Sequence, residues 1–409
     1  MHSPGVQPVK AAAQPAGITK KTFALLNTYH VLVDGLYDSV PVLLAFVVLA
    51  FGAGEKMVGS VVSAGLMAST AAGLWAVWFS RRLSTAGALA LVALCYGMGF
   101  VVASCSASML LVGACFVFAI AGHGVFHTLA FSWIAQETPK TALGRALSDF
   151  TAIGDIGRIP LVSLAGFAAA LPIAGIAGWR VVCASYGTLA LLAGGWLLWQ
   201  SRRKVRFCRP AGNAAHGRVF PSLALLKEKK MALALSATVL NTIGSDHIFT
   251  FMPLLLLGKG IAPQIMGAFA LGFTVGCFAG KVLCGRLVDL WGARSVFVGA
   301  EVVQAGLLVL LVGQSAPVGI VATALALGMV TKGTVPVVQT ILAGAVVPGQ
   351  SYEEVFAGSS FVRGCVNMTL PLLFGALAAI TSMELVYILM GAAALVAVVP
   401  VLLPVAEKA

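Results

Sequence analysis

The sequence predicts an all-α membrane protein with twelve transmembrane helices in two pseudo-symmetric six-helix bundles. Three observations predict it. Of 409 residues, 59% are hydrophobic and only 10% are charged, whereas a soluble domain carries about 25% charged residues. Apolar runs long enough to cross a hydrocarbon layer of about 30 Å as helices recur from end to end, and the short alternating segments of a membrane barrel are absent. A basic interval also divides the chain into halves of similar length whose motifs correspond.

Residues 1–21 read as a cytoplasmic tail, polar and rich in Ala and Pro, without the basic segment and cleavage site of a signal peptide. Residues 22–200 form the first predicted bundle, with spans at 22–51, 57–80, 84–105, 108–135, 143–172 and 175–200. Residues 201–230 form a basic linker carrying Arg202, Arg203, Lys204, Arg206, Arg209, Arg218, Lys227, Lys229 and Lys230. The second bundle covers 231–405, with spans at 231–257, 262–288, 294–313, 316–346, 354–381 and 384–405, and 406–409 is a short cytoplasmic tail. With the N-terminus inside, nearly all Lys and Arg outside the spans fall on the cytoplasmic side, and only Lys56, Arg180 and Lys259 fall outside. That positive-inside bias places both termini in the cytoplasm. It also assigns the net charge of +12 to an anionic leaflet and not to nucleic acid. The eight cysteines show no CxxC spacing, and no redox or metal role follows from them.

The halves match in order. Span one holds "VDGLYDSVPVLLAF" and span seven "SDHIFTFMPLLLLG"; aligned on Pro41 and Pro253, Asp34 falls opposite Asp246. Span four holds "HGVFHT" and span ten "KGTVPVVQT", which set His123 opposite Lys332. Spans five and eleven share a mid-span proline, Pro160 and Pro371.

Charges inside spans cost at least about 2.5–3.5 kcal/mol each and persist where they face a wet cavity, pair, or work. They concentrate in spans one, four, five, seven, ten and eleven. Asp34 is the first candidate for proton coupling, because a mid-span carboxylate stripped of water can load and release a proton; His30, Asp38 and Asp246 join it. The competing reading is an aspartate locked in its ionised form by Arg or His. Lys332, Arg363 and Arg158 supply cations for an anionic or zwitterionic substrate, with His123, His127, His247, Tyr37 and Asn241 completing the binding set. Asp155, three residues before Arg158, could neutralise that arginine instead. Arg145 and Asp149 near the start of span five are gate candidates. A rival reading uses His30, Asp34, His123 and His127, at four-residue spacing on two spans, as ligands of a transported transition metal or metal chelate. Lys281 would snorkel to the surface or pair with Asp289.

At the junction of spans eight and nine stands "GRLVDLWGAR", Gly285 to Arg294. It resembles the Gly-x-x-x-Asp-x-x-Gly-x-Arg signature of the major facilitator superfamily, carried between the second and third helices of each half. The resemblance implies a gating role for Gly285, Asp289 and Arg294, and secondary transport by alternating access at a midplane site. Gly285 would permit close helix approach and Gly292 would turn the chain. The first half keeps only Arg81 and Arg82 of this motif. "HVLVD" and "GVFH", with "LGRALSDFTAIGDIG", are similar to features of the fosmidomycin-resistance branch of efflux permeases, which implies efflux. A proton on Asp34 or its partners would exchange against the organic anion, and the protein is expected to act as a monomer in a bacterial cytoplasmic membrane. The expected partners are a small-molecule substrate, protons and lipid, with no cofactor. No nucleophile–base constellation, P-loop or nucleotide motif appears, which argues against an enzyme or an ATP-driven pump.

Overall fold

The computed structural model describes residues 20–138, 140–202, 228–346 and 352–404. Among them every element is a helix, apart from one isolated bridge between Ile173 and Ile176. In chain order these are α1 (Lys20–Phe51), α2 (Glu55–Arg82), α3 (Thr85–Cys105), α4 (Met109–Glu137), α5 (Lys140–Ala169), α6 (Gly178–Arg202), α7 (Lys229–Ser245), α8 (Ile248–Gly258), α9 (Ile265–Gly313), α10 (Pro317–Gly344), α11 (Tyr352–Ile380) and α12 (Met383–Leu402). In hydrocarbon each backbone polar group must be satisfied within its own segment, and helices do this. Ser84 and Ser382 accept backbone N–H groups at the starts of α3 and α12, covering donors that a helix start leaves unpaired.

Among the described residues, ten helices are long and apolar enough to cross a membrane. The main difference from the expected spans lies in the seventh. The predicted seventh span is broken: α7 stops at Ser245 and α8 begins at Ile248, with Asp246 and His247 in the gap. The Tyr387 hydroxyl donates to the Ile248 carbonyl at 2.5 Å, so a polar group sits ready beside the interruption. The predicted eighth and ninth spans both lie in α9, whose helical path is interrupted at Gly292, where the backbone is non-helical (φ +77°, ψ 152°). Two helical segments thus meet at the turn expected between those spans, in a conformation that glycine adopts without steric cost. Gly285 does not match its expected role, since a Cβ there would meet open space.

Helices α1–α6 pack as one bundle and α7–α12 as the other, and the pairings repeat. The first bundle rests on α1 with α5, α2 with α4, and α3 with α6; the second on α7 with α11, α9 with α10, and α9 with α12. Between bundles, α2 meets α11 and α5 meets α9. At these two seams backbone touches backbone. A Cβ on Gly59 would strike the Pro371 carbonyl, one on Gly375 would lie 2.7 Å from the Glu55 carbonyl oxygen, and one on Gly166 would lie 2.7 Å from the Gly267 Cα. Ser63 tightens the first seam by accepting the Leu372 N–H at 2.9 Å.

Candidate functional site

A cavity of about 260 Å³ lies between the bundles. Its wall takes residues from α1, α2, α4 and α5 on one side and from α7–α11 on the other. Among the predicted residues, Tyr37, Asp38, His123, Arg158, Asp246, His247, Lys332 and Arg363 line it. Asp34, His30 and His127 do not; they form a layer behind the wall, where Asp34 is only 2% exposed.

That layer is built around the Asp34 carboxylate. The four-residue spacing of His30 and Asp34 puts them on one face of α1, with His30 Nε2 3.0 Å from Oδ2. From α4, His127 Nε2 donates to Oδ1 at 2.9 Å, and His123 Nε2 lies 3.5 Å from the same oxygen. From α5, Arg158 donates to Oδ2 at 2.9 Å. Phe150 fixes the His30 ring by stacking on it at 4.0 Å between centroids, and its carbonyl faces Nδ1 at 2.9 Å. Gly154 makes the approach possible, because a Cβ there would run into the His30 ring. Tyr37 stacks on His123 at 4.2 Å and so separates the Asp34 layer from the open cavity. An aspartate meeting an arginine and three imidazoles matches the locked reading better than that of a freely protonated acid.

Arg158 is shared three ways. Besides Asp34, its Nε lies 2.9 Å from Asp38 Oδ2 and it donates to Asp155 Oδ1 at 3.1 Å. The anticipated neutralisation by Asp155 is therefore present, alongside exposure to the cavity. Asp155 also receives a hydrogen bond from Lys281 of α9. That replaces the expectation that Lys281 snorkels or pairs with Asp289: the lysine instead joins the two bundles.

The second bundle mirrors the first. Arg363 of α11 donates to Asp246 Oδ2 at 3.2 Å, as Arg158 of α5 does to Asp34. Two partners escaped the sequence reading. Asn367 donates to the same Asp246 oxygen at 3.0 Å, and Thr242 accepts from Arg363 Nε at 3.3 Å. Each stands four residues from its neighbour, Asn367 after Arg363 and Thr242 before Asp246, a spacing that marks a shared helical face. Lys332 lines the cavity and has no ion-pair partner among the described residues.

Other candidates move away from the site. Asn241 lines no part of the cavity; it is buried at 6% exposure and donates to Glu301 at 2.6 Å. Asp289 is exposed, with no ion pair among the described residues. Arg294 donates to the Leu402 carbonyl at 2.5 Å, tying the α9 kink to the end of α12. Arg145 and Asp149 lie in α5, but their side chains, and the linker basic residues from Arg203 to Lys227, fall outside the described residues.

His30, Asp34 and His127 hold ligand-type atoms within 4.8 Å of one another. The Asp34 oxygen nearest His30 also takes the Arg158 guanidinium. A divalent cation there would sit against a fixed positive charge, so the donor set fits a metal poorly.

The fold and this buried, charge-lined cavity define a membrane-embedded protein of two helical bundles. Residues 234–409 match the family model of the Major Facilitator Superfamily. No curated protein sequence matches the chain. Three solved structures share its fold. The D-xylose–proton symporter is 16% identical, with a TM-score of 0.70, covering 94% of this chain and 98% of that one. The nucleoside transporter NupG is 14% identical, with a TM-score of 0.68, covering 93% and 98%. A bacterial homologue of the human lysosomal transporter Spinster, inward-facing and unoccupied, is 14% identical with a TM-score of 0.66, covering 93% and 94%. The chain thus shares the fold of these transporters over 93–94% of its length, and residues 234–409 carry the sequence pattern of the Major Facilitator Superfamily.

Proposed function

We propose that the protein is a proton-coupled secondary transporter of a small organic anion or zwitterion, working by alternating access about the cavity between its bundles. The observation that carries this reading is Lys332, a cavity cation that forms no direct ion pair among the described residues although Asp38 and Asp246 line the same wall. Around it, four carboxylates (Asp34, Asp38, Asp155, Asp246) stand against four fixed cations (Arg158, Lys281, Lys332, Arg363). With neutral imidazoles the site is balanced, and each proton added to a histidine leaves one positive charge. An anion at Lys332 and Arg363 restores the balance. Arg363 offers a planar fork for a carboxylate or phosphonate, and Lys332 a point charge.

The coupled proton enters the layer around Asp34, with the aspartate as its counter-ion. Both nitrogens of His30 face oxygen acceptors, the Phe150 carbonyl and the Asp34 carboxylate, so an added proton finds a partner on either side. Arg158 links this layer to Asp38 on the cavity wall. The balance favours a proton and an anion bound together, in place of the exchange expected from the sequence; under an inward proton gradient such co-transport drives uptake. The xylose structure among the neighbours is of a proton symporter. The positive-inside pattern puts the glycine seams on the outer face, so this conformation is closed to the outside. The chain is read as a monomer of a bacterial cytoplasmic membrane with both termini inside.

Proteoliposomes loaded with a pH dye test the reading. Among small carboxylates and phosphonates, at least one acidifies the lumen when added outside, and Lys332→Ala abolishes the response. Lumenal alkalinisation would mean exchange, and a response to neutral solutes alone would remove the anion site.

A further inference from the structure

Behind the cavity, within the second bundle, lies a carboxyl that the charge balance above does not include. Glu301 of α9 is 0% exposed, and so is Gln304 one turn later. Asn241 of α7 donates to Glu301 Oε1 at 2.6 Å and lies 3.5 Å from the Thr334 hydroxyl of α10. Gln304 donates to the Gly244 carbonyl of α7 at 3.1 Å. Two buried oxygens then lack any donor: Glu301 Oε2 and Gln304 Oε1.

No cation within ion-pair distance reaches Glu301 among the described residues. From α7, the nearest titratable groups in sequence are Asp246 and His247, beyond the break and on the cavity wall; from α10, Lys332 also lines the cavity. From α12, the Tyr387 hydroxyl is spent on the Ile248 carbonyl, and Asp289, Arg294 and Arg286 on α9 are exposed near its kink. An ionised carboxylate without water or a cation is among the most costly groups a protein can bury, and it neutralises instead. A proton on Oε2 answers both deficiencies, because it removes the charge and supplies the missing donor. The three-residue spacing of Glu301 and Gln304 puts that donor and the orphan Gln304 oxygen on one helical face.

We propose that Glu301 is a second proton-binding site, occupied in this conformation, and that its proton latches the end of α7. Asn241 and Gly244 are both in the last turns of α7, just before the break that delivers Asp246 and His247 to the cavity. Gly244 is pressed against α12, where a Cβ would lie 3.1 Å from the Met390 carbonyl and the Ala394 nitrogen, so this turn has little room to shift while the latch holds. Loss of the proton leaves a charge with no cation in this dry seam, which Asn241 alone does not offset. The α7–α9 contact must then open to water, and the Asp246–Arg363 pair is free to move. The site is distinct from the Asp34 layer, which belongs to the other bundle, and does not depend on the identity of the transported solute.

Infrared difference spectroscopy on purified protein in lipid nanodiscs tests the proposal without a substrate. Wild type minus Glu301→Gln at neutral pH should give a positive carbonyl stretch of a protonated carboxylic acid, and Asn241→Ala should shift that band by removing a donor. Thermal unfolding supplies a second reading. A carboxyl protonated when folded and ionised when unfolded makes stability fall as pH rises above the ordinary glutamate value of about 4.3, and Glu301→Gln should flatten that fall. No band in the difference spectrum, or an unchanged pH profile in Glu301→Gln, would overturn the latch. So would failure of Glu301→Gln to fold, because the amide reproduces the shape and hydrogen bonding of the neutral acid.

Discussion

Lys281 of α9 donates a hydrogen bond to Asp155 of α5, so an ion pair crosses from one bundle to the other beside the cavity. Asp155 is 5% exposed at its side chain and Lys281 30%. Through Arg158 the pair is continuous with Asp34 and Asp38. Charge rearrangement in the first bundle therefore has a direct route to the second.

Breaking that bridge separates the bundles more easily. In a double-mutant cycle on Asp155→Asn and Lys281→Ala, thermal unfolding in nanodiscs should return a coupling of roughly 0.5–3 kcal/mol. Simple additivity of the two changes would show that the bridge carries no energy. The reversed pair, Asp155→Lys with Lys281→Asp, should restore part of the loss.

Asp34→Asn removes the common counter-ion of Arg158 and three imidazoles. Arg158 keeps Asp38 and Asp155, so the loss of stability should sit near the lower end for a broken buried pair, roughly 3 kcal/mol. Proton movement coupled to solute should disappear in dye-loaded vesicles. A variant that still concentrates solute under a pH gradient would take Asp34 out of the coupling apparatus.

Lys332→Ala should weaken binding of the transported anion by about 10–100-fold, the scale of one charge-assisted hydrogen bond. Its unfolding temperature should barely change, since Lys332 forms no ion pair among the described residues. Titration calorimetry and a melting curve separate the two effects. Unchanged affinity would reassign the anion to Arg363 and Arg158.

Gly59→Val and Gly267→Val place side chains where backbone or a ring now lies, Pro371 in one case and Phe167 in the other. Both should hold these seams apart. Cys277 lines the cavity at 7% exposure, so it should react with an impermeant maleimide from outside in these variants and stay protected in the wild type. Peptide mapping distinguishes it from the exposed Cys105 and Cys365.

Zinc should not raise the unfolding temperature at neutral pH, because Arg158 already occupies the carboxylate oxygen a metal would need. Stabilisation by zinc that is lost in His127→Ala would revive the metal reading.

The sequence exposed the architecture because bilayer thickness imposes helix length, and because duplication leaves matched motifs. The pairing of Asp34 with Arg158 repeated in Asp246 with Arg363 is that duplication expressed in three dimensions. The layer order was harder to see. Asp34 and Asp38 are one turn apart on α1, yet Tyr37 on His123 puts one behind the wall and the other on it. No spacing rule distinguishes those positions, since the distinction comes from how α1, α4 and α5 cross. Asn241 was misplaced for the same reason: a polar residue near the break in span seven can face the cavity or the bundle interior, and Glu301 decides which. The turn between the eighth and ninth spans was legible, because Gly292 takes a positive φ that glycine adopts without steric cost.

The glycine seams have a kinetic consequence. Where two main chains meet with no side chain between them, parting requires no rotamer to be rebuilt and uncovers few apolar atoms per residue. Rolling of one half over the other then encounters little friction at its outer rim, and the slow event of a cycle shifts inward, to the rewetting of carboxylate and ammonium groups as they let go of each other.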